Sequence, residues 1–571
     1  SCQGFFADTS SHVTYEQCEA HHVYWWTSSG DSFYTQRATD VRYINCVASS
    51  FRRIGFVAEG RLDLGTRWEK SERIHYENCV AYHNVNSDDN TENWGAGFWI
   101  ENTLSASFKD CYVYDMNNGI GNASPYTAKG FVAHLIVPAD DELAAGAVTY
   151  SGCVAETVRD GWTMSATGPS ALAQHNITAT LEDCIVRTAV GNGFNYFGGF
   201  LSYTMRSCAM VDSTAARSIL YNGYSYSRTI NSTVENFRSV NNTLSDVDIR
   251  FWNTGTAVSD YVFRDCQGLS AGSNGSGESM RTLVWEDCHI AVASDATGKL
   301  MGALRLTIDG CLFTLMTPPA AAGVSNSIFG ASTRVTCSNT TFELQGNQLS
   351  HVPTAASTDV DISFTGCTFK NTMYFPALAD ASVSLSGCVF EGFDGTTLNG
   401  AMIWTDHYAA ANSVLSVTGC VFMSSDATDI PLKKKSQQPT HTILSGNSYN
   451  TTAMTDFTNT IATGPYLHLG DNTCLNDGGG MGITALDNTG TPTVAGGSTF
   501  TTGGVATITD FDDGVLGQTI TVLSEHAITI TDGTHIILHG SANFVMAAAD
   551  SLTLVLKADN KWYETARMVN L

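Results

Sequence analysis

Short apolar segments with alternating polar positions recur along the chain, without the three-to-four-residue spacing of amphipathic helices. The commonest unit reads strand residue, polar, polar, Cys, variable, apolar. Examples are Tyr43-Ile44-Asn45-Cys46-Val47-Ala48, Tyr76-Glu77-Asn78-Cys79-Val80-Ala81, Leu181-Glu182-Asp183-Cys184-Ile185-Val186 and Phe263-Arg264-Asp265-Cys266. These cysteines fall at 18, 46, 79, 111, 153, 184, 208, 266, 288, 311, 367, 388 and 420, mostly 21 to 42 residues apart. In the two widest gaps the slot passes to Phe237 within Val234-Glu235-Asn236-Phe237 and to a threonine within Ser338-Asn339-Thr340-Thr341-Phe342. The period therefore survives loss of its marker.

A repeat of this length with no internal helix signal predicts a solenoid of stacked strand coils, each burying its inner face only against its neighbours. The cysteine then reads as a small apolar side chain turned inward, rather than as half of a disulfide or a metal ligand. Cys-x-x-Cys spacing is absent, and His535 with His539 finds no third ligand, so no metal and no cofactor is expected.

A second strand follows the cysteine and a turn in the early coils, as in Gly55-Phe56-Val57-Ala58-Glu59, Gly97-Phe98-Trp99-Ile100-Glu101, Gly161-Trp162-Thr163-Met164-Ser165 and Gly193-Phe194-Asn195-Tyr196-Phe197. Alternation puts Phe56, Phe98, Trp162 and Phe194 inside. The outer stripe then carries Glu59, Glu101, Ser165 and Phe197, together with Asp8, Gln36 and Trp252. Asn118, Asp160 and Asn192 precede glycines where stacked turns could run a side-chain ladder, which offers a structural role for Asp160. Residues 84 to 95 and 122 to 150 read as loop insertions beside the stripe.

Composition narrows the class of partner. Only 15% of the 571 residues are charged and the net charge is −26, which argues against nucleic acid or an anionic membrane. No apolar run has the length of a bilayer span. Because Gly4-Phe5-Phe6 already resembles the repeated strand, an N-terminal portion is expected to precede Ser1.

Ser386-Gly387-Cys388-Val389-Phe390 and Thr418-Gly419-Cys420-Val421-Phe422, with the Gly-Phe strands, resemble the pectate-lyase-like superfamily of right-handed parallel β-helices over about residues 1 to 450. The segment from Gly490-Thr491-Pro492 to Trp562 resembles the small β domains that close phage tailspikes and fibres. The expected organisation is an all-β chain with a helical body at 1–450, a junction at 451–485 and a C-terminal β-sandwich at 486–571. What the resemblance implies is a homotrimeric bacteriophage tailspike, attached to the phage tail through an N-terminal domain. It would act at the bacterial cell surface on capsular or O-antigen polysaccharide.

Glycoside hydrolysis needs an acid and a second carboxylate close by. Glu59 and Glu101, at equivalent outward positions of successive coils, are the expected pair, with like charge raising one pKa. Trp94 and Trp99 are candidates for stacking on sugar rings, and Arg61 and Arg67 for an acidic sugar. Asp160 with Asp115 and Arg159 forms a second candidate centre. Arg250 and Trp252 are candidate remote subsites, and Tyr126 lies in an insertion beside the groove. Solvated surface glutamates paired with Arg61 or Arg73 are the bland alternative. β-Elimination by a lyase and a binding-only fibre or adhesin also stay open.

Overall fold

The structure is a computed structural model that describes residues 2–23, 30–63, 67–84, 95–116, 128–136, 145–167, 176–197, 200–215, 217–222, 231–244, 248–252, 259–273, 280–292, 303–315, 325–326, 334–344, 348–351, 360–370, 373–378, 381–393, 401–407, 414–424, 430–434, 441–450, 455–456, 466–469, 472–474, 483–494 and 497–570. Among these residues there is no helix. The strands form long parallel ladders, and the fold is an all-β right-handed parallel β-helix. The chain divides into two compact units, Ser1–Thr317 and Pro318–Leu571.

In the first unit each early coil contributes one strand to each of three sheets. One coil, for example, runs through Gly30–Gln36, Thr39–Ile44 and Val47–Ser49. The register is fixed inside. Phe5, Phe33, Phe56, Phe98, Phe131, Trp162 and Phe194 stack face to face, with centroids 4.6–5.2 Å apart. A slip of one residue would turn this aromatic column out to solvent, so the ladder has a single favourable pairing.

The cysteine repeat marks the corner between the second and third strands. The residue before it takes a left-handed backbone, with φ of 53° at Asn45, 51° at Asn78, 53° at Asp183 and 60° at Gly387. That is why Asn, Asp or Gly fills the position before most of these cysteines, Gln17 and Ser207 being the exceptions: few other residues tolerate φ above zero at low cost. Among the described residues fourteen cysteines are free thiols and thirteen of those are buried. The corner thiols bond the carbonyl two residues back, as Cys46 Sγ does to Ile44 O at 3.4 Å, whereas Cys337 lies within a strand. Thr340 takes the missing slot with the same geometry, donating to Ser338 O at 2.8 Å, and Phe237 fills the other slot fully buried.

From Leu269–Ser273 onward, the strand after the corner joins the first sheet, through pairing with Ile249–Trp252 and His289–Val292. The third sheet accordingly ends at Arg238–Val240. The coils from residue 269 to 315 therefore contribute two strands each among the described residues.

The second unit repeats the pattern, with Phe342, Phe369, Phe390 and Phe422 stacked 4.6–5.3 Å apart. Its ladders continue through Thr455–Asp456, Tyr466–Leu469 and Thr473–Cys474, inside the stretch expected to be a junction. Beyond them, Ile483–Ala485, Thr499–Thr501 and Thr519–Leu523 pair in parallel. Ser551–Leu556 and Trp562–Met568 then add antiparallel strands, and Ile528–Ile530 pairs antiparallel with Phe544–Met546. Both sheets share one apolar core around Trp562, Phe511, Ile520 and Leu554.

Candidate active site

Six consecutive strands of the first sheet carry one outward column. Asp8, Gln36, Glu59, Glu101, His134 and Ser165 lie in register along it. The inward aromatic column sets their direction by alternation, three residues away along each strand. Strand spacing brings the backbones of Glu59 and Glu101 to about 4.8 Å from one another.

The row two residues earlier is outward but covered. Tyr34, Val57, Trp99 and Val132 are in register and each is at most 8% exposed. The carboxylates therefore sit at the edge of an apolar patch rather than on an open sheet. The Tyr34 hydroxyl donates to Glu59 Oε2. Arg53, in the turn before Ile54, places Nη2 3.7 Å from Glu59 Oε1 and Nη1 3.2 Å from Asp31 Oδ2. Trp99 Nε1 donates to Glu101 Oε2 at 3.3 Å.

The two glutamates are thus held differently. Glu59 has a phenol donor and a guanidinium. Glu101 accepts from the Trp99 indole N–H, and burial, reinforced by the Glu59 charge, outweighs that bond and the pull of Arg53 and pushes its carboxyl up to about 7. Asp31 is wholly buried, and burial lifts it to about 6 against the pull of Arg53.

The other candidate residues are distributed as follows. Trp99 flanks the pair, but at 3% exposure its ring is packed away and acts through its N–H rather than as an open stacking face. Asp160 begins its strand five residues before the acidic column, roughly 16 Å away along the strand. Its carboxylate accepts from the Asn192 amide at 2.7 Å and from Asn192 Nδ2 at 3.2 Å, which is the ladder arrangement. Asp115, its suggested companion, pairs with His83 at 2.9 Å. The Arg159 backbone serves the same turn ladder, its carbonyl accepting from Gly191 N.

Arg250 is 5% exposed and extends the Trp99 row through Val132, Thr163, Asn195 and Leu220. Trp252 pairs with Asn222 on the adjoining strand. Arg61 and Arg67 lie in a short antiparallel hairpin, Arg61–Asp63 with Arg67–Glu69, directly after Glu59. Trp94 and Tyr126 fall outside the described residues.

Three neighbours of the pair, Tyr34, Asp31 and Arg53, escaped the sequence reading, and a fourth, His134, was assigned to a loop beside the stripe rather than to a strand. Tyr34 was within reach, since it stands two residues before Gln36 on a strand already assigned to the stripe. Asp31 and Arg53 occupy turn and strand-start positions that no alternation rule orients. His134 was lost inside the expected loop 122–150. Residues 129–136 and 145–151 there are strands, and Gly130-Phe131 repeats the Gly97-Phe98 step. A whole coil therefore separates Glu101 from Ser165. His134 is the register neighbour of Glu101, with Nδ1 2.7 Å from Ser165 Oγ.

Fold and site define the class: a parallel β-helix with paired carboxylates on its flank. Among proteins of known structure, the chain is similar to the gp42 tailspike of Acinetobacter phage vb_AbaP_AS12, at 10% identity over 97% of this chain and 76% of that one, with a TM-score of 0.19. No family model and no curated protein matches the chain.

Proposed function

We propose that this chain is the β-helical body of a phage tailspike that depolymerises a bacterial capsule or O-antigen by hydrolysing glycosidic bonds. The observation that carries this reading is the in-register pair Glu59 and Glu101, one of them raised to about 7. A carboxyl that keeps its proton near neutrality can protonate the leaving oxygen, so Glu101 is the general acid. Glu59, bound by Tyr34 and faced by Arg53, is the nucleophile or base. Carboxyls about 5–5.5 Å apart serve retaining enzymes and those about 6.5–9.5 Å apart inverting ones, and placement on neighbouring rungs is compatible with a paired mechanism. Arg53 and Tyr34 also supply a cation and a phenol of the kind β-elimination uses, which makes a lyase the second reading.

The test is to incubate the protein with a panel of purified capsular and O-antigen polysaccharides and follow polymer length by size-exclusion chromatography. Shortening of one polymer supports depolymerisation. Unchanged length across capsules of every host the phage infects rejects it in favour of a binding-only fibre.

A further inference from the structure

Away from the carboxylate pair, a concavity lies on the outer face of the second sheet of the first unit, with a volume of about 650 Å³. Its floor is one register row, Thr14, Arg42, His75, Ser107 and Thr149, running across five coils. Four rung steps make that row about 19 Å long. Its rim is formed by His12, Asp40 and Arg73.

Charge in the trough is uneven. Asp40 is engaged at two points by Arg73, at 2.6 and 3.0 Å, with His12 3.6 Å from its other side. His75 bonds Ser107 Oγ at 2.6 Å through Nδ1 and faces Glu77 at 3.5 Å through Nε2. Arg42 is exposed, its backbone N bonds Val13 O, and its guanidinium has no hydrogen bond or ion pair among the described residues. The rim carboxylate is satisfied, so a guanidinium with no ion-pair partner among the described residues stands on the floor, one rung from its end, in a chain of net charge −26.

We infer that this trough is a second, non-cleaving site for an acidic polysaccharide, with a uronate carboxylate seated on Arg42. Three hydroxyl side chains share the row, Thr14 on the rung beside the arginine and Ser107 and Thr149 beyond His75, and they match a hydroxyl-rich ligand. The length of the row suits an extended polymer rather than a single small molecule. A guanidinium pairs a carboxylate through two parallel hydrogen bonds, which supplies the anchor. With Asp40 held by Arg73, the trough has no free acid and base pair for cleavage. The site is independent of the chemistry assigned to Glu59 and Glu101.

The test uses the full chain and biolayer interferometry against immobilised polygalacturonate, hyaluronan and alginate oligomers and their carboxyl-reduced counterparts. Wild type should bind at least one acidic oligomer and not its reduced form. Arg42→Ala should weaken that binding roughly tenfold, with Arg42→Lys intermediate. Mass by light scattering should stay unchanged, and Glu59→Gln should bind as wild type. Wild-type binding to none of the acidic oligomers would overturn the inference. So would equal binding to the reduced forms, unaltered affinity in Arg42→Ala, or a changed mass that makes this face a contact between chains. Loss of binding in Glu59→Gln would move the ligand to the carboxylate site. Binding that depends on Arg42 without any depolymerisation would leave the trough standing while rejecting the hydrolase.

Discussion

Glu101 lies beside Glu59 on the next coil, and among the described residues Glu59 is the one in ion-pair range of Arg53, whose Nη2 stands 3.7 Å from its Oε1, while Arg53 pulls on Glu101 more weakly than burial and the Glu59 charge push it. This asymmetry divides labour between two chemically identical side chains. Burial and the neighbouring charge keep the proton on Glu101, while Glu59 is built to present its oxygens. Glu59→Gln and Glu101→Gln should each lower depolymerase turnover by roughly 10²–10⁴-fold. Reducing-end release measures it, with circular dichroism unchanged. Near-normal rates in both variants would remove the pair from the chemistry.

The pH profile follows from Glu101. A general acid acts only while protonated, so kcat/KM should fall as pH rises through about 7. A profile flat between pH 6 and 8.5 would exclude Glu101 as the proton donor.

Stability carries the opposite face of the same shift. The folded carboxyl titrates above its ordinary value of 4.5, so below that value both states are protonated and the group contributes nothing. Above about 7 the folded state holds an ionised, buried carboxylate, at a cost on the order of 3 kcal/mol. Glu101→Gln should therefore raise Tm at pH 8 and leave it unchanged at pH 4, read by calorimetry. Equal shifts at both pH values would show that the gain is not electrostatic.

How far the sequence carried this reading depends on which interactions repeat. The coil, the inward phenylalanines and the adjacency of Glu59 and Glu101 follow from a period of two along each strand and a marker at each corner. Even the substitutions at 237 and 340 kept the period, because Phe fills the volume and Thr340 makes the bond the thiol makes. What did not repeat stayed hidden. Arg53 and Asp31 meet through a turn, where no periodicity sets direction. The coil holding His134 was masked by its polar surroundings and lacks a Glu, Gln or Asp at the column position. Asp160 could be read either way, and only its bonds to Asn192 place it in the turn ladder.

The thiols offer a check on the coil itself. Thirteen cysteines are buried and free, so native protein should leave them unreactive toward Ellman's reagent, and unfolding in guanidinium should release them together. Rapid native labelling of more than the few remaining cysteines would contradict a closed, stacked interior.

Arg53 joins Asp31 to Glu59, and its removal tests whether the site is also a structural pair. Asp31 is 0% exposed on its side chain and Arg53 25%, so the contact at 3.2 Å is largely shielded from water. Truncating one partner of such a pair leaves the other charge stranded, and the partial exposure of Arg53 moderates the penalty. Arg53→Ala should destabilise the protein by roughly 2–3 kcal/mol and push the Asp31 carboxyl above about 6. Asp31→Asn in that background should recover much of the loss, because the stranded charge is gone. Activity should not return with it, since Glu59 still lacks its guanidinium. A double-mutant cycle by chemical denaturation, run beside a turnover assay, separates the two effects. Full recovery of both would show that Arg53 serves only to neutralise Asp31 and does not position Glu59.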